Sequence, residues 1–250
     1  NSGANLEQNE WTHLAMVAEP GGITIYKNGR PYRHAITTNE HSFVSPLAIG
    51  ADLNGGDRFF KGIIDEVCIY DRSLSQTEIR ESMHLAKTHS GIPGLDRYYQ
   101  FNESSGHVMD RQGISHATLN ANAQRILSTA PAGPGASQQW VINAAASYDF
   151  DSAGVKLTTA NNATYPDGEV WITRINYIPE ANFNPSGQPV VPSYWILHPY
   201  GANERFSSFS EMTFKEVGRI NQGSVLSDYT LFRRAPNADT AVWVRIDTAM

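Results

Sequence analysis

The chain is 250 residues long, 40% hydrophobic and 18% charged, with a formal net charge of -6. These values are typical of a globular chain of one or two domains. The negative charge excludes the basic surface that attracts nucleic acids or anionic membranes, and no apolar run is long enough to span a membrane. The single cysteine, Cys68, excludes internal disulfides and is interpreted as a small packed residue, not a reactive thiol.

The first third of the chain predicts a series of β-hairpins. Residues 11–18 and 23–26 have the composition of strands, and a turn is predicted between them. A second turn is predicted at Asn28 and Gly29, because this pair readily takes the positive φ angles of a two-residue hairpin loop. Long helical periodicities are missing from the chain, so its fold class is predicted to be all-β.

The run that follows predicts a strand and then the start of a helix. Residues 63–70 are β-branched, aromatic or small, apart from two adjacent acids. Ser75 and Glu78 have the spacing of a capping box, and Ile79 begins an apolar stripe at helical spacing. We therefore expect one short helix at about 75–87.

This region resembles a known family. Two ordered motifs carry the resemblance, Gly62-Ile63-Ile64-Asp65-Glu66-Val67 and Tyr70-Asp71-Arg72-Ser73-Leu74-Ser75. Three stretches precede them in the order of the family's earlier strands, and these are Trp11-Thr12-His13-Leu14-Ala15-Met16, Ile23-Thr24-Ile25-Tyr26-Lys27-Asn28-Gly29 and Leu47-Ala48-Ile49-Gly50. Together they are similar to the closing strands and helix of laminin-G-like domains, which belong to the concanavalin-A-like lectin/glucanase superfamily. The resemblance implies that residues 1–90 form the C-terminal part of an antiparallel jelly roll.

The resemblance also implies that part of the jelly roll is missing. Family members have further strands before the motif at Trp11, and this chain begins too late to contain them. We therefore expect the chain to be a piece of a longer protein. An open half of a jelly roll would leave an apolar sheet face and sheet edges uncovered, which natural proteins avoid, so another segment or chain is expected to cover it.

Residues 91–133 are predicted to be a linker that carries one strand. The stretch at 95–106 resembles the opening strand of the same family, but the middle of a second copy does not follow it. Because a lone strand is not stable by itself, we expect this strand to pair with the first sheet.

Residues 134–250 predict a second β-sandwich. Seven short strands separated by turns rich in Pro and Gly are typical of that fold, and they are predicted at 140–143, 154–159, 169–177, 193–198, 212–217, 229–234 and 241–247. The pattern resembles modules that follow laminin-G-like domains in large secreted surface proteins of Bacteroidetes. The last strand ends close to Met250, so this module is expected to be truncated at its C-terminus.

Asp65 is the candidate metal ligand. It lies on an otherwise apolar face of the predicted strand, and a buried carboxylate needs a cation or several hydrogen-bond donors. In the folds that the chain resembles, an Asp at this position often binds a structural calcium, which takes six to eight oxygen ligands. The sequence shows one convincing donor, so two readings stay open: calcium as a structural cofactor, or an Asp that accepts backbone N–H bonds.

No catalytic pair of acids is predicted. Hydrolysis of a glycoside needs two carboxylates that face one bond, and the glycosidases of this superfamily carry them at alternating positions of one strand. Asp65 and Glu66 are adjacent, so in a strand they point to opposite faces. The chain is therefore predicted not to be an enzyme.

Three short motifs suggest modification. They have the form Asp-Ser/Thr-small and resemble the O-glycosylation pattern of exported Bacteroidetes proteins, with Ser152, Thr240 and Thr248 as the acceptor residues. This pattern favours an exported, glycosylated protein.

Aromatic residues provide the candidate sugar-stacking groups. Those in predicted strands, such as Trp171 and Trp195, are expected to lie mostly in the core. Loop aromatics are better candidates for surface contact, and they are Tyr165, Phe183, Tyr200 and Phe206.

The sequence supports three hypotheses about function. The first is a non-catalytic module of a large secreted or cell-surface protein that mediates adhesion by binding glycans or surface proteins. The second is a structural spacer, or a subunit that assembles with neighbouring copies into a filament or surface layer. The third is an accessory domain of an extracellular glycan-degrading enzyme. All three place the chain outside the cell, with no nucleic-acid partner and no membrane span.

Overall fold

The computed structural model describes residues 5–34, 47–52, 58–87, 91–120, 122–161, 164–179, 190–204, 209–215, 230–235, 237–238 and 240–248. Within these ranges the chain consists mainly of antiparallel strands, with one α-helix and one short 3-10 helix. The predicted all-β class with one short helix is confirmed.

The N-terminal part, residues 5–120, contains five strands and the helix. They are β1 (Leu14–Glu19), β2 (Gly22–Lys27), β3 (Arg30–His34), β4 (Val67–Tyr70), α1 (Gln76–Ser82) and β5 (Leu95–Tyr99). The C-terminal part, residues 135–248, contains the remaining elements. They are β6 (Gly135–Ile142), β7 (Ser147–Phe150), η1 (Asp151–Ala153), β8 (Val155–Thr159), β9 (Gly168–Ile175), β10 (Tyr194–Pro199), β11 (Phe209–Phe214), β12 (Thr230–Arg233) and β13 (Val244–Thr248).

The first sheet is a meander of three strands in the order β1-β2-β3. Both of its turns contain two residues, as the sequence predicted. Gly21 in the first turn has a φ of 91°, and Asn28 and Gly29 in the second have φ values of 48° and 74°. Two consecutive positive φ angles give a turn whose twist matches that of the flanking strands, and Asn-Gly adopts it at little cost.

The strand predicted at 63–70 is shorter in the structure. β4 begins at Val67, because Glu66 has a positive φ of 54° and cannot continue an extended strand. Its N–H instead donates to Oδ1 of Asp65 at 2.9 Å. The expectation that Asp65 lies on a regular strand face is therefore wrong.

Helix α1 starts as predicted and ends early. The Ser75 side chain accepts from the Glu78 N–H, and the Glu78 side chain accepts from the Ser75 N–H, so the capping box is present. The helix ends at Ser82 and not near residue 87. The reason is that the Ala86 N–H donates to the Gly133 carbonyl at 2.9 Å in place of a carbonyl one turn back.

Strand β5 pairs antiparallel with β4, opposite Val67–Tyr70. The sequence predicted pairing with the first sheet, whereas β5 and β4 form a separate two-stranded sheet. The loop that follows is organised by Asp110, a buried carboxylate that accepts four backbone N–H bonds at 3.0–3.1 Å. Their donors are Tyr98, Gln112, Ile114 and Ser115.

The C-terminal part has two three-stranded antiparallel sheets, β10-β9-β6 and β11-β8-β7. Both contribute to one hydrophobic cluster, whose buried members are Ile142, Tyr148, Phe150, Ala153, Val155, Leu157, Val170 and Ile172. Trp195, Leu197, Met212 and Phe214 pack against it. Each of the seven strands predicted here overlaps an observed strand. The sequence missed β7, a strand of four residues.

Candidate functional site

One face of the first sheet is apolar and open to solvent. Residues opposite each other in an antiparallel pair point to the same side, so the register puts side chains of β1, β2 and β3 on a common face. Leu14 is 50% exposed and Met16 is 67% exposed, which is unusual for aliphatic residues in a sheet. We call this surface the open face, and it consists of Leu14, Met16, Ala18, Ile23, Ile25 and Tyr32.

The other face of the sheet behaves as a core face. Val17, which lies between Met16 and Ala18, is buried. Alternation along β1 therefore separates a covered side from an uncovered one. The sequence predicted an apolar sheet face in this region and a second segment or chain that covers it; in the structure Leu14 and Met16 on this face are exposed.

The charged groups at one end of the open face are already engaged. Lys27 donates to the Asn5 carbonyl and lies 3.7 Å from the Glu7 carboxylate. Arg30 pairs with Glu204 at 2.8 Å and donates to the Pro199 carbonyl at 2.9 Å. The face can therefore recognise a ligand mainly by burial of apolar area and not by hydrogen bonds.

A second candidate surface lies at the open edge between the two C-terminal sheets. Trp140 is 43% exposed, and its ring is fixed by an Nε1–H bond to the Asp149 carbonyl at 2.7 Å. Its edge also contacts Tyr148, with the two ring centroids 6.1 Å apart. A rigid, exposed indole is a platform for stacking.

Polar side chains surround this indole. Gln138 donates to the same Asp149 carbonyl at 3.2 Å, and Lys215 pairs with both Asp149 and Asp151. We call this surface the Trp140 patch, and it consists of Gln138, Trp140, Asp149, Asp151 and Lys215. Sequence reasoning placed Trp140 in a strand and did not single it out, because exposure of a strand Trp has no sequence signal.

Asp65, the predicted calcium ligand, has internal hydrogen-bond partners. It accepts from the Glu66 N–H and has a hydrogen bond with the Ser128 side chain. Burial raises the pKa of Asp65, and these two hydrogen bonds offset the rise only in part. A calcium ligand must be ionised, so a raised pKa is unfavourable for that role.

Calcium binding at Asp65 stays a prediction. Across the described ranges, no group of three or more His, Cys, Asp and Glu side chains converges on a point that could hold a metal. Calcium needs six to eight oxygen ligands, most of them carboxylates or carbonyls. The backbone N–H bond that the second reading expects is present, since the Glu66 N–H donates to Asp65.

Glu66 is also engaged away from any cleft. Its carboxylate accepts from the Tyr98 hydroxyl. Burial raises the pKa of Glu66, and the neighbouring Asp65 charge adds to the rise, while the Tyr98 hydroxyl lowers it. Cys68 lies nearby on β4, and burial raises the pKa of its thiol to about 11, which makes it a poor nucleophile.

Two of the three predicted glycosylation acceptors are exposed. Ser152 lies in η1 and Thr240 in a turn, both on the surface. Thr248 is the last residue of β13, and its side chain lies outside the described residues. Exposure is a requirement for modification, and glycosylation at the three residues stays a prediction.

The aromatic predictions divide into two groups. Trp171 is buried, and Trp195 packs against the core cluster, as expected for strand aromatics. Tyr200, expected at the surface, is instead held between the N-terminal and C-terminal parts. Its hydroxyl donates to the Asn28 carbonyl at 2.9 Å, and the Arg80 guanidinium lies 3.7 Å from its ring centroid. Phe183 and Phe206 lie outside the described residues.

Histidines accompany Tyr200 at this contact between the parts. The rings of His84 and His198 are stacked 5.0 Å apart, and their Nε2 atoms are 2.8 Å apart. His13 is half-buried on the N-terminal side of the same contact, where its N–H donates to the Asn28 side chain. The sequence showed no metal-ligand spacing among its histidines, and their proximity depends on tertiary structure.

Within the described ranges, no helix combines the length and the apolar composition needed to cross a bilayer. No solved structure matches the chain. Residues 1–80 match a laminin-G family model described as the concanavalin A-like lectin/glucanases superfamily. The predicted likeness of residues 134–250 to a Bacteroidetes surface module is not confirmed. The first 80 residues are thus similar to concanavalin A-like lectins and glucanases, a superfamily that includes carbohydrate-binding and protein-binding modules.

Proposed function

We propose that the chain is a non-catalytic binding module of an extracellular protein and that it takes a protein partner on the open face. The observation that carries this proposal is the exposure of Leu14 and Met16 on a regular sheet. Contiguous apolar patches on a folded protein mark sites of interaction. The likeness of residues 1–80 to a superfamily with binding modules and with typically extracellular laminin-G-like domains agrees with it.

The chemistry of the open face favours a protein over a sugar. Its side chains are aliphatic apart from Tyr32, and its end cations Lys27 and Arg30 already have partners. A saccharide needs many hydrogen bonds, which an aliphatic face does not supply. A protein segment with apolar side chains can bury them there, and β1 lies at an edge of its sheet, where an extended segment can add as a further strand.

The non-catalytic assignment rests on the two acids of the family-like segment. Asp65 accepts from the adjacent backbone and from Ser128, and Glu66 accepts from Tyr98, so each carboxylate is committed to a different partner. A glycosidase needs two carboxylates that share one bond. An accessory role beside a catalytic domain in a longer protein is the alternative within this proposal.

Site-specific photo-crosslinking on intact producing cells tests the open face. A benzophenone amino acid replaces Met16 in one variant and Met109, an exposed methionine of a loop, in the control. We expect a discrete protein adduct from position 16 that is absent from position 109 and is lost when Leu14→Lys is added. The same adduct from both positions, or an adduct that survives Leu14→Lys, contradicts the proposal. An adduct of twice the chain mass identifies the partner as a second copy and selects the self-assembly hypothesis.

The Trp140 patch supports glycan binding as a second candidate function. An exposed, fixed indole beside two carboxylates, an amide and an ammonium group has the stacking surface and the polar groups that a sugar needs. We expect Trp140→Ala to abolish any glycan-array binding that the chain shows. The control is Phe59→Ala, which removes an exposed aromatic elsewhere. Retained binding in Trp140→Ala excludes this patch as the sugar site.

The proposed extracellular location has its own test. If the chain is exported and modified as its motifs suggest, glycopeptide analysis of protein from its native source will find sugar on Ser152, Thr240 or Thr248. Both described side chains, those of Ser152 and Thr240, are accessible to a transferase. Three unmodified residues remove this support for export and leave the binding proposal to the crosslinking result.

A further inference from the structure

Three histidines from distant regions of the sequence come together where the N-terminal and C-terminal parts meet. His13 precedes β1, His84 follows α1, and His198 lies in β10. His84 is 7% exposed, and His13 and His198 are half-buried. We call these three residues the histidine cluster.

The hydrogen bonds of the cluster restrict its protonation state. Nδ1 of His84 lies 2.7 Å from the Pro131 carbonyl, which can only accept, so Nδ1 carries the proton. In a neutral ring Nε2 of His84 is then an acceptor, and it receives the Nε2–H of His198 at 2.8 Å. A second proton on His84 would put two N–H groups against each other at that distance unless His198 moved its own proton to Nδ1. The contact can therefore hold at most one of the two rings in the charged form, because two charged rings would bring two N–H groups together.

The charges that surround the cluster disfavour protonation as well. On the N-terminal side Lys87 faces His13 and His84, and from the β2–β3 turn Arg30 faces His198. The three histidines also repel one another when charged. None of the groups that act on their titration is a carboxylate.

Two carboxylates at the contact between the parts are paired with other cations. Glu169 of β9 pairs with Arg80, which packs on the Tyr200 ring, and Glu204 pairs with Arg30 at 2.8 Å. The Tyr200 ring lies between His198 and these pairs, with its centroid 6.1 Å from that of His198. A charged histidine in the cluster would therefore find like charges and no counter-ion.

We propose that the histidine cluster makes the contact between the N-terminal and C-terminal parts acid-sensitive, so that protons drive the parts away from each other while each keeps its own fold. Burial is the main reason why the pKa of His13 and of His198 falls to about 3 and that of His84 to about 4, and the neighbouring positive charges add to it. Separated histidines would regain a pKa near 6.5. Because the closed contact binds fewer protons, it is fully favoured above pH 6.5 and loses stability as the pH falls from 6.5 toward 4.

Met83 gives a direct readout of opening. It is 7% exposed and lies under Tyr200, whose hydroxyl is 3.8 Å from its sulfur. Met16, on the open face, is accessible whether or not the parts are in contact. The rate of oxidation of Met83 by peroxide, divided by that of Met16 in the same sample, therefore measures opening of the contact. Peptide mass spectrometry of the full chain gives both rates, and far-UV circular dichroism checks that the strands persist.

We expect the Met83/Met16 ratio to rise about tenfold or more between pH 7 and pH 5, since each proton taken up on opening contributes up to a factor of ten per pH unit. In His198→Gln the amide can still donate to His84, but one titrating group is gone, so the rise must be less steep. His107→Gln, which changes an exposed histidine in a loop, is the matched control and must behave like the wild type. A flat wild-type ratio, or an unchanged slope in His198→Gln, overturns the proposal.

A second measurement, on the wild type, keeps the proposal testable if the contact in His198→Gln is open at every pH. NMR titration of the wild-type histidines reports each ring directly. The proposal expects the signals of His13, His84 and His198 to resist protonation until well below pH 6 and then to change together with opening. Ordinary titration of these three rings near pH 6.5, with Met83 still protected, contradicts it.

Discussion

The N-terminal and C-terminal regions of the chain stabilise their sheets by different means. In the C-terminal region, a pair of sheets face each other, and their inward side chains form one apolar cluster that includes Phe150, Leu157 and Ile172. In the N-terminal region the β1–β2–β3 sheet keeps the open face in solvent, and buried polar contacts such as those of Asp110 organise the remainder. Strand patterns alone thus do not tell whether a sheet is covered. Coverage depends on which second layer the chain supplies.

The largest expected effect comes from truncating one leucine in the C-terminal region and, for comparison, one in the N-terminal region. Leu157→Ala removes a fully buried side chain and should lower the free energy of unfolding by about 2–5 kcal/mol. Leu14→Ala removes a half-exposed leucine of the open face and should change it by about 0.5 kcal/mol or less. Urea unfolding of both variants measures the difference. Equal losses would mean that the open face is covered in solution.

Replacement of Asp110 tests whether buried polar contacts stabilise the N-terminal region. Asp110→Asn replaces one acceptor oxygen by an NH₂ group that faces backbone donors, so we expect a loss of about 1–3 kcal/mol in the free energy of unfolding. Asp96→Asn, at a partly exposed carboxylate on the preceding strand β5, is the control and should have little effect.

The pH dependence of this loss has a defined direction. Desolvation raises the pKa of Asp110, but its four backbone N–H bonds together outweigh that effect and lower the pKa below the ordinary 3.8. A depressed pKa stabilises the fold above pH 3.8, and this stabilisation disappears as the pH falls through the lower native value. The difference between wild type and Asp110→Asn should therefore shrink in strong acid. A difference that grows there would contradict this account of the loop.

The helix cap should have a smaller effect. Ser75→Ala removes one half of the capping box and should cost about 0.5–2 kcal/mol, because the N–H of Glu78 loses its acceptor. Ser104→Ala, at an exposed loop position of the N-terminal region, is the control. Identical unfolding curves for the two variants would show that α1 is held by its packing at Ile79 and Met83 alone.

The smallest expected effect is that of a chelator. Asp65 already accepts bonds from Glu66 and Ser128, and among the described residues no three His, Cys, Asp or Glu side chains converge on a metal site. We therefore expect EDTA to leave the thermal midpoint unchanged within error. A fall of several degrees that added calcium reverses would restore the calcium prediction for Asp65.

Sequence patterns predicted the elements well where local chemistry decides the structure. The Asn28-Gly29 turn, the Ser75–Glu78 capping box and the seven C-terminal strands all follow from residue type and spacing. The family likeness of the first third is a property of sequence and was found there.

The misses have tertiary causes. Glu66 takes a positive φ and shortens β4, although its composition suits a strand. The backbone of Ala86 bonds to Gly133, far along the chain, and ends α1 early. His84 and His198 lie 114 positions apart, so no local motif could bring them together. Site residues are the hardest to predict from sequence, because their exposure and their proximity depend on tertiary packing.

Oxidation of methionines in the native chain tests the central claim most directly. The open face contains Met16 at 67% exposure, while Met83 is 7% exposed in the same region of the chain. At neutral pH a brief treatment with peroxide should convert Met16 to the sulfoxide many times faster than Met83. If Met16 is as protected as Met83 in the isolated chain, the first sheet has no uncovered apolar face, and the proposed binding surface is contradicted.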